Sequence, residues 1–271
     1  MSTTRPIRVA AQLHPQHGDY HELRQAVAET EQMGYDLLYT WDHFFPLYGG
    51  REGTHFECWS MLAAWAEQTR TIELGALVTC NSYRNSDLLA DMARTVDHIS
   101  GGRLVFGIGS GWFRHDYEQY GYEFGTASSR LADLGRALPR IIGRWDKLNP
   151  RPLRRPPILI AGVGEQVTLR LVARYADGWH AAFPDDPSEL EPKVAALLKW
   201  CHRHDRDPKS IEWGLGVEPN DLARFLSEDA PTYVQMGFTQ FTLGFNGPQW
   251  NVSAGADWLA WRDRVNQTAA G

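Results

Sequence analysis

Four short runs in this 271-residue sequence combine residue types suited to proton transfer and cofactor binding. Asp42-His43 follows an apolar run that ends at Trp41. The unperturbed pKa of histidine lies nearest neutrality, so His43 suits a general acid or base. Asp42 beside it is placed either to contact a ligand or to orient the imidazole; taken alone, the pair reads equally well as a surface or capping feature. Thr79-Cys80-Asn81 opens a polar elbow after the apolar Ala76-Leu77-Val78. Gly109-Ser110-Gly111-Trp112 offers bare backbone beside a large aromatic, room for a flat ring with Trp112 as a wall, although plain small-residue packing gives the same pattern. Ala161-Gly162-Val163-Gly164 precedes a helix that begins near Glu165. Glycines there most simply make a tight turn. They also let backbone N–H groups and a helix amino terminus hold an anion.

Each run sits at the end of a predicted strand. Short apolar runs at 7–13, 35–41, 74–78, 104–108, 158–161, 178–182, 211–217 and 238–245 read as eight buried strands, the sixth closed by Phe183-Pro184. Between them lie helical patterns at 20–33, 56–68, 86–99, 130–145, 166–175, 187–204 and 222–236, with Pro231 breaking the last, and a final helix covers 256–265. The 86–99 helix takes Ser86 or Asp87 as its cap and Leu88, Leu89, Met92, Val96 and Ile99 as its apolar positions. Residues 113–129 read as a long loop with little periodicity, of the kind that carries function. Strand and helix alternating eight times predict a single (β/α)₈ barrel over residues 1–271. A doubly wound sheet competes, but its phosphate fingerprint is missing from the first turn, His14-Pro15-Gln16-His17-Gly18. In a parallel barrel the carboxyl ends of all strands face one side, which gathers the four runs at one mouth.

Composition is that of an ordinary globular chain, with 43% hydrophobic and 22% charged residues. The net charge of -6 argues against nucleic acid as a partner. Eleven tryptophans are many for this length, and core packing explains most of such an excess. Three scattered cysteines, Cys58, Cys80 and Cys201, form no disulfide framework, which points to a reducing cytoplasm. The first six residues show no apolar signal core, and no membrane span is expected. His14, His17 and His43 suggest a metal-dependent hydrolase at first sight. His180 could join them, but the eighth strand ends Gly244-Phe245-Asn246 without an acidic ligand, so no metal is expected.

The elbow LVTCNSYRN, the helix after it and SGGRL-x-FGIGSGW closely resemble the bacterial luciferase-like flavin and deazaflavin oxidoreductases, in particular the actinobacterial branch that uses coenzyme F420. The resemblance is strong over residues 36–112 and 157–179 and weak beyond Asp205. It implies an F420-dependent oxidoreductase that moves hydride between deazaflavin C5 and a small organic substrate. Trp41-Asp42-His43 matches the segment in which the family's histidine handles the proton. The strand at Ala76, Leu77 and Val78 matches one that packs behind the deazaflavin ring on a non-proline cis peptide, at Ala76-Leu77 or Leu77-Val78. On the same resemblance Thr79, Asn81, Gly109, Ser110, Gly111 and Trp112 are expected in the cofactor pocket. Ala161, Gly162, Val163 and Gly164 match the phosphate turn. Trp112 stands where sugar-phosphate dehydrogenases of this type carry a glutamate, which argues against that chemistry here. A reduced-FMN monooxygenase and a non-catalytic cofactor-binding relative are the alternatives, and a homodimer is expected by resemblance alone. Aromatics at 44, 45, 48, 112, 113 and 117 suggest an apolar or flat substrate.

Overall fold

The computed structural model describes residues 5–182, 184 and 186–270. Phe183, expected to close the sixth strand, lies outside them. The strands are β1 (Arg8–His14), β2 (Leu37–Thr40), β3 (Glu73–Ala76), β4 (Thr79–Cys80), β5 (Leu104–Gly109), β6 (Ile158–Ala161), β7 (Gly178–Ala181), β8 (Glu212–Val217) and β9 (Gln240–Asn246). All pair in parallel, and β1 lies between β2 and β9. Pairing of β3 with β5, at Leu74 with Leu104, closes the circle. β3 and β4 are two halves of one barrel strand, and β4 pairs onward with β5 at Thr79 and Ile108. They part at Leu77-Val78, whose peptide is cis. The barrel therefore has eight strand positions, as the alternation of patterns predicts.

Ten α-helices among the described residues surround it: α1 (Tyr20–Gln32), α2 (Cys58–Gln68), α3 (Ser86–Ile99), α4 (Arg114–Tyr120), α5 (Ala127–Trp145), α6 (Thr168–Tyr175), α7 (Glu191–Arg203), α8 (Leu222–Glu228), α9 (Ala230–Met236) and α10 (Ala256–Ala270). Alternation along each strand divides the core. Val9, Ala11 and Leu13 of β1 face the helices in the main core, whereas Ala10 packs inside the barrel with Leu37, Tyr39, Val105 and Leu159. Below that layer Arg8 pairs with Glu73 and with Glu212 (3.2 Å), closing the amino-terminal end. The basic, proline-rich segment RPLRRPP (residues 151–157) lies at this same end, where Arg154 and Arg155 pair with Glu73 and Asp177. That is the face opposite the four candidate runs.

Several boundaries move for local reasons. Asn85, rather than Ser86 or Asp87, caps α3, accepting from the Asp87 and Leu88 N–H groups. The helix is also rotated from the predicted stripe: Ala90 and Ala93 are buried, while Leu88 and Ile99 are exposed. A capping box between Thr126 and Ser129 starts α5 at Ala127, ahead of Arg130. The expected loop at 113–129 contains α4, which ends at Gly121 in the left-handed region (φ 70°). Helix 187–204 begins as a 3₁₀ turn, and the chain from 222 to 236 breaks at Asp229, with Pro231 in the first turn of α9. No helix among the described residues is long and apolar enough to cross a membrane.

Candidate active site

The carboxyl ends of the strands surround a cavity of about 540 Å³, within the range of small-molecule sites. Trp41, Asp42 and His43 line it after β2, and Leu77, Val78, Thr79 and Cys80 between β3 and the elbow. Gly109, Ser110, Gly111 and Trp112 follow β5, and Ala161 and Gly162 follow β6. Four runs far apart in sequence thus meet where parallel strands end.

His43 is held from behind. Its Nδ1 lies 2.8 Å from Oδ2 of Asp116 on α4. A carboxylate only accepts, so Nδ1 carries the proton and donates it, leaving Nε2 as the ring nitrogen open to a ligand. Asp116 is fully buried and also accepts from the Tyr83 hydroxyl (2.9 Å) and the Phe44 N–H (3.2 Å). The imidazole meets Trp41, Trp112 and Phe113 edge-on, with centroids 5.3 to 5.8 Å away, and its side chain is 13% exposed. One tautomer and one ring orientation are therefore built in. α4 is braced in turn by a stack in which Phe44 lies against Tyr120 (4.1 Å) and Tyr83 (4.7 Å).

Asp42 does not orient His43. Its carboxylate takes Arg84 at 2.6 and 2.9 Å, the Thr79 hydroxyl at 2.7 Å and the Cys80 N–H at 2.9 Å. Trp59 Nε1 donates to the same Thr79 hydroxyl (2.9 Å). Burial works against the Arg84 charge, but the carboxylates of Asp42 and Glu57 outweigh it and hold its pKa above the ordinary value. Asp42 therefore ties β2 to the elbow.

Burial keeps three further histidines near the mouth, His14, His55 and His180, neutral at neutral pH. His14 lies flat on Trp41 (centroids 4.1 Å apart) and pairs through Nδ1 with Asn246; burial lowers its pKa to about 4. His180, bonded to the Thr242 hydroxyl, is pushed by burial to about 3. His55 takes the Trp41 N–H on Nε2, and burial, then repulsion from His43, lower it to about 4. His17 turns outward to the Tyr48 carbonyl, and among the described residues no group of three His, Cys, Asp or Glu is disposed to hold a metal.

Glycine keeps the far wall flat. A Cβ on Gly109 would stand 2.7 Å from Val78, and Gly111, at φ 80°, has Cys80 Sγ and the Tyr117 hydroxyl against its α-carbon. Leu77 and Val78 form an apolar shelf, fixed where Gln12 Nε2 donates to the Leu77 carbonyl (2.7 Å). Gly162, at φ 124°, gives its N–H to the His180 carbonyl, so that donor is spent within the barrel.

Four expected residues do not line the cavity. Ala76 is buried in the main core, and Val163 packs against its edge. A Cβ on Gly164 would stand 2.8 Å from the Thr168 hydroxyl, and Thr168 lines the cavity in its place. Asn81 sits in a turn that opens on a separate groove with Ser82, Phe124 and Arg130. Asp116, His14, Gln12 and Glu218 are residues of the site that sequence reasoning missed.

A closed parallel barrel with its ligand cavity among the βα loops is the architecture of a TIM-barrel protein. The model of the luciferase-like monooxygenase family matches residues 1–219, and the chain belongs to that family. It is 42% identical over 193 residues to the 5,10-methylenetetrahydromethanopterin reductase of Archaeoglobus fulgidus, covering 66% of this chain and 55% of that protein. It is 27% identical over 177 residues to the F420-dependent glucose-6-phosphate dehydrogenase of Amycolatopsis mediterranei, covering 58% of this chain and 52% of that protein. The chain thus spans about half the length of these relatives. Among solved structures, an F420-dependent secondary alcohol dehydrogenase in complex with an F420-acetone adduct superposes with a TM-score of 0.81 at 15% identity, over 93% of this chain and 98% of that one. Riboflavin lyase with modified FMN superposes at 0.76 and 12% identity, over 98% of this chain and 92% of that one. At such identities these two likenesses show the fold alone.

Proposed function

We propose that this chain is a coenzyme F420-dependent oxidoreductase acting on a small organic substrate, with His43 handling the proton. The observation that carries the reading is the buried His43–Asp116 pair, which leaves Nε2 facing a cavity of cofactor size. Relatives named as F420-dependent, or as acting on a methanopterin, support it. The residues present fit a flat tricyclic ring: an apolar shelf at Leu77 and Val78 and a wall at Gly109 and Gly111 that a single Cβ would fill. The turn at Gly162, with the Thr168 hydroxyl beside it, is the part of the cavity suited to an anionic tail.

A bound deazaflavin supplies hydride exchange at its C5 carbon. The protein supplies the rest. When an alcohol is oxidised, carbon gives up hydride and oxygen gives up a proton, which Nε2 of His43 accepts while Asp116 steadies the imidazolium. In carbonyl reduction His43 returns that proton. Trp41 and Trp112 flank the imidazole and shield it from bulk water. A cytoplasmic setting and a homodimer are part of the proposal, the latter open to a sedimentation measurement.

Titrating the protein into F420 and into FMN, with cofactor fluorescence as the readout, tests the assignment. Saturable F420 binding with FMN ignored supports it. The opposite preference transfers the chain to the reduced-FMN monooxygenase reading, and binding of neither leaves a barrel without this chemistry.

A further inference from the structure

We infer that the substrate side of the cavity selects a cationic or neutral ligand against an anionic one, and that Glu218 is the specificity-determining residue. This rests on reading the cavity as a substrate site. No lysine or arginine is among the described residues that line it. Its charged members are Asp42, already neutralised by Arg84, and Glu218, which directly follows β8. Glu218 has no ion pair among the described residues. Asp116 adds a second carboxylate directly behind His43. The imidazoles of His14 and His180 contribute no positive charge at neutral pH, since burial holds both well below the ordinary histidine range.

Topology divides the mouth in two. Around the barrel the order runs β8, β9, β1, β2 on one side, and β6 stands across from β1. Glu218, His14, Trp41 and His43 lie on the first side; Gly162 and Thr168 lie on the other. An anionic tail at Gly162 therefore avoids the carboxylates, whereas a group approaching His43 past Tyr48 and Glu218 meets them. The Tyr48 ring, one of the exposed large hydrophobic side chains, stands at that rim within electrostatic reach of Glu218. A carboxylate beside an aromatic ring is a surrounding an ammonium group prefers. Glu218 is exposed at this rim, and partial desolvation and then the nearby Asp221 raise its pKa. A phosphorylated or carboxylated substrate finds no partner here and meets repulsion.

The test uses three aromatic probes of one size, benzylamine, benzyl alcohol and benzoate, titrated into the whole protein with tryptophan fluorescence as the readout. The expected order of affinity is amine, alcohol, benzoate, with about a fivefold gap between the first two at low salt, the size of a partly screened ion pair. Raising salt to about 0.5 M narrows the gap. Glu218→Gln brings the amine level with the alcohol, whereas Glu218→Asp retains part of the preference. Benzoate bound as well as benzylamine, an amine preference that survives Glu218→Gln, or no saturable binding of any probe overturns the inference. F420 titrated into the same samples reads the cofactor assignment separately. A protein that ranks the probes but ignores F420 loses the cofactor reading and keeps this one.

Discussion

Asp116→Asn tests the proton-handling geometry with the smallest change of shape. Asp116 accepts three hydrogen bonds with no exposure to solvent: His43 Nδ1–H at 2.8 Å, the Tyr83 hydroxyl at 2.9 Å and the Phe44 N–H at 3.2 Å. An asparagine has one acceptor and one donor end. With its NH₂ toward Phe44, two donors would face each other, so the amide oxygen takes the Phe44 N–H and the NH₂ faces His43. Nδ1 must then accept, and the proton moves to Nε2. Tyr83 can rotate its hydroxyl and accept as well, which softens the cost. Exchanging a charge-assisted bond for neutral ones removes about 1.5–3 kcal/mol, a fall in Tm of about 3–10 °C for a chain of this size. The neutral His43 can no longer take a proton from the cavity, so oxidation slows by about 10²–10⁴. The tautomer is read directly from long-range ¹⁵N–¹H correlations of ¹⁵N-histidine-labelled protein, with His43→Gln assigning the signal. A folded variant that keeps the Nδ1–H tautomer and oxidises substrate within about twofold of wild type would refute the reasoning.

Three further outcomes follow from the geometry. Arg84→Met strands the Asp42 carboxylate, which is fully buried, and should cost about 3–5 kcal/mol in denaturant unfolding; adding Asp42→Asn should restore part of it. Gly111→Ala sets a Cβ 2.6 Å from Cys80 Sγ and onto the Tyr117 hydroxyl at φ 80°, so it should lose about 2–4 kcal/mol, whereas Gly121→Ala, at φ 70° with open space, should lose about 1. His14 and His180 have folded pKa values of about 4 and about 3, below the 6.5 of the unfolded chain. Between those limits the unfolded state binds the extra protons, so stability is full above pH 6.5 and falls with acid by about 1.4 kcal/mol per pH unit for each histidine. Thermal melts across this window should show the slope, and His14→Gln should make it shallower.

The barrel was legible because every strand is a short apolar run closed by a distinctive end. Leu74–Val78 and Leu104–Ile108 needed no context to be read, and the runs at Trp41, Gly109 and Ala161 did converge on one cavity. What escaped was set by contacts across the chain. Asp116 lies 73 residues from its partner in a segment without helical periodicity, because the apolar positions of α4 are aromatics that serve a stack rather than a stripe. The alternation of Arg114 with Glu118 and the glycine at 121 were the available signals for that helix. Of the two roles offered for Asp42, orienting His43 is the one that fails, because adjacency had suggested partnership. Consecutive residues leaving a strand point to opposite sides, which sends one to Arg84 and the other to Asp116. Asn81 and Val163 were assigned by their neighbours: Asn81 opens a 3₁₀ turn that carries it to a separate groove, and Val163, beyond the end of β6, packs against the main core.

The segment between β5 and α5 begins with the Trp112 wall and carries, within a few residues, the carboxylate that sets the tautomer of His43. What is admitted and how its proton is handled are thus one inheritable module. A graft that brings in another loop to widen substrate range exchanges both at once, and silences the histidine unless it also delivers an acid at 116 and an aromatic that seats on Phe44. Variation is then channelled to the rim beyond β8 and the loop after β2, where Glu218 and Tyr48 can change without disturbing the base. In this chain the freedom to diversify lies across the mouth from the place where new walls are easiest to build.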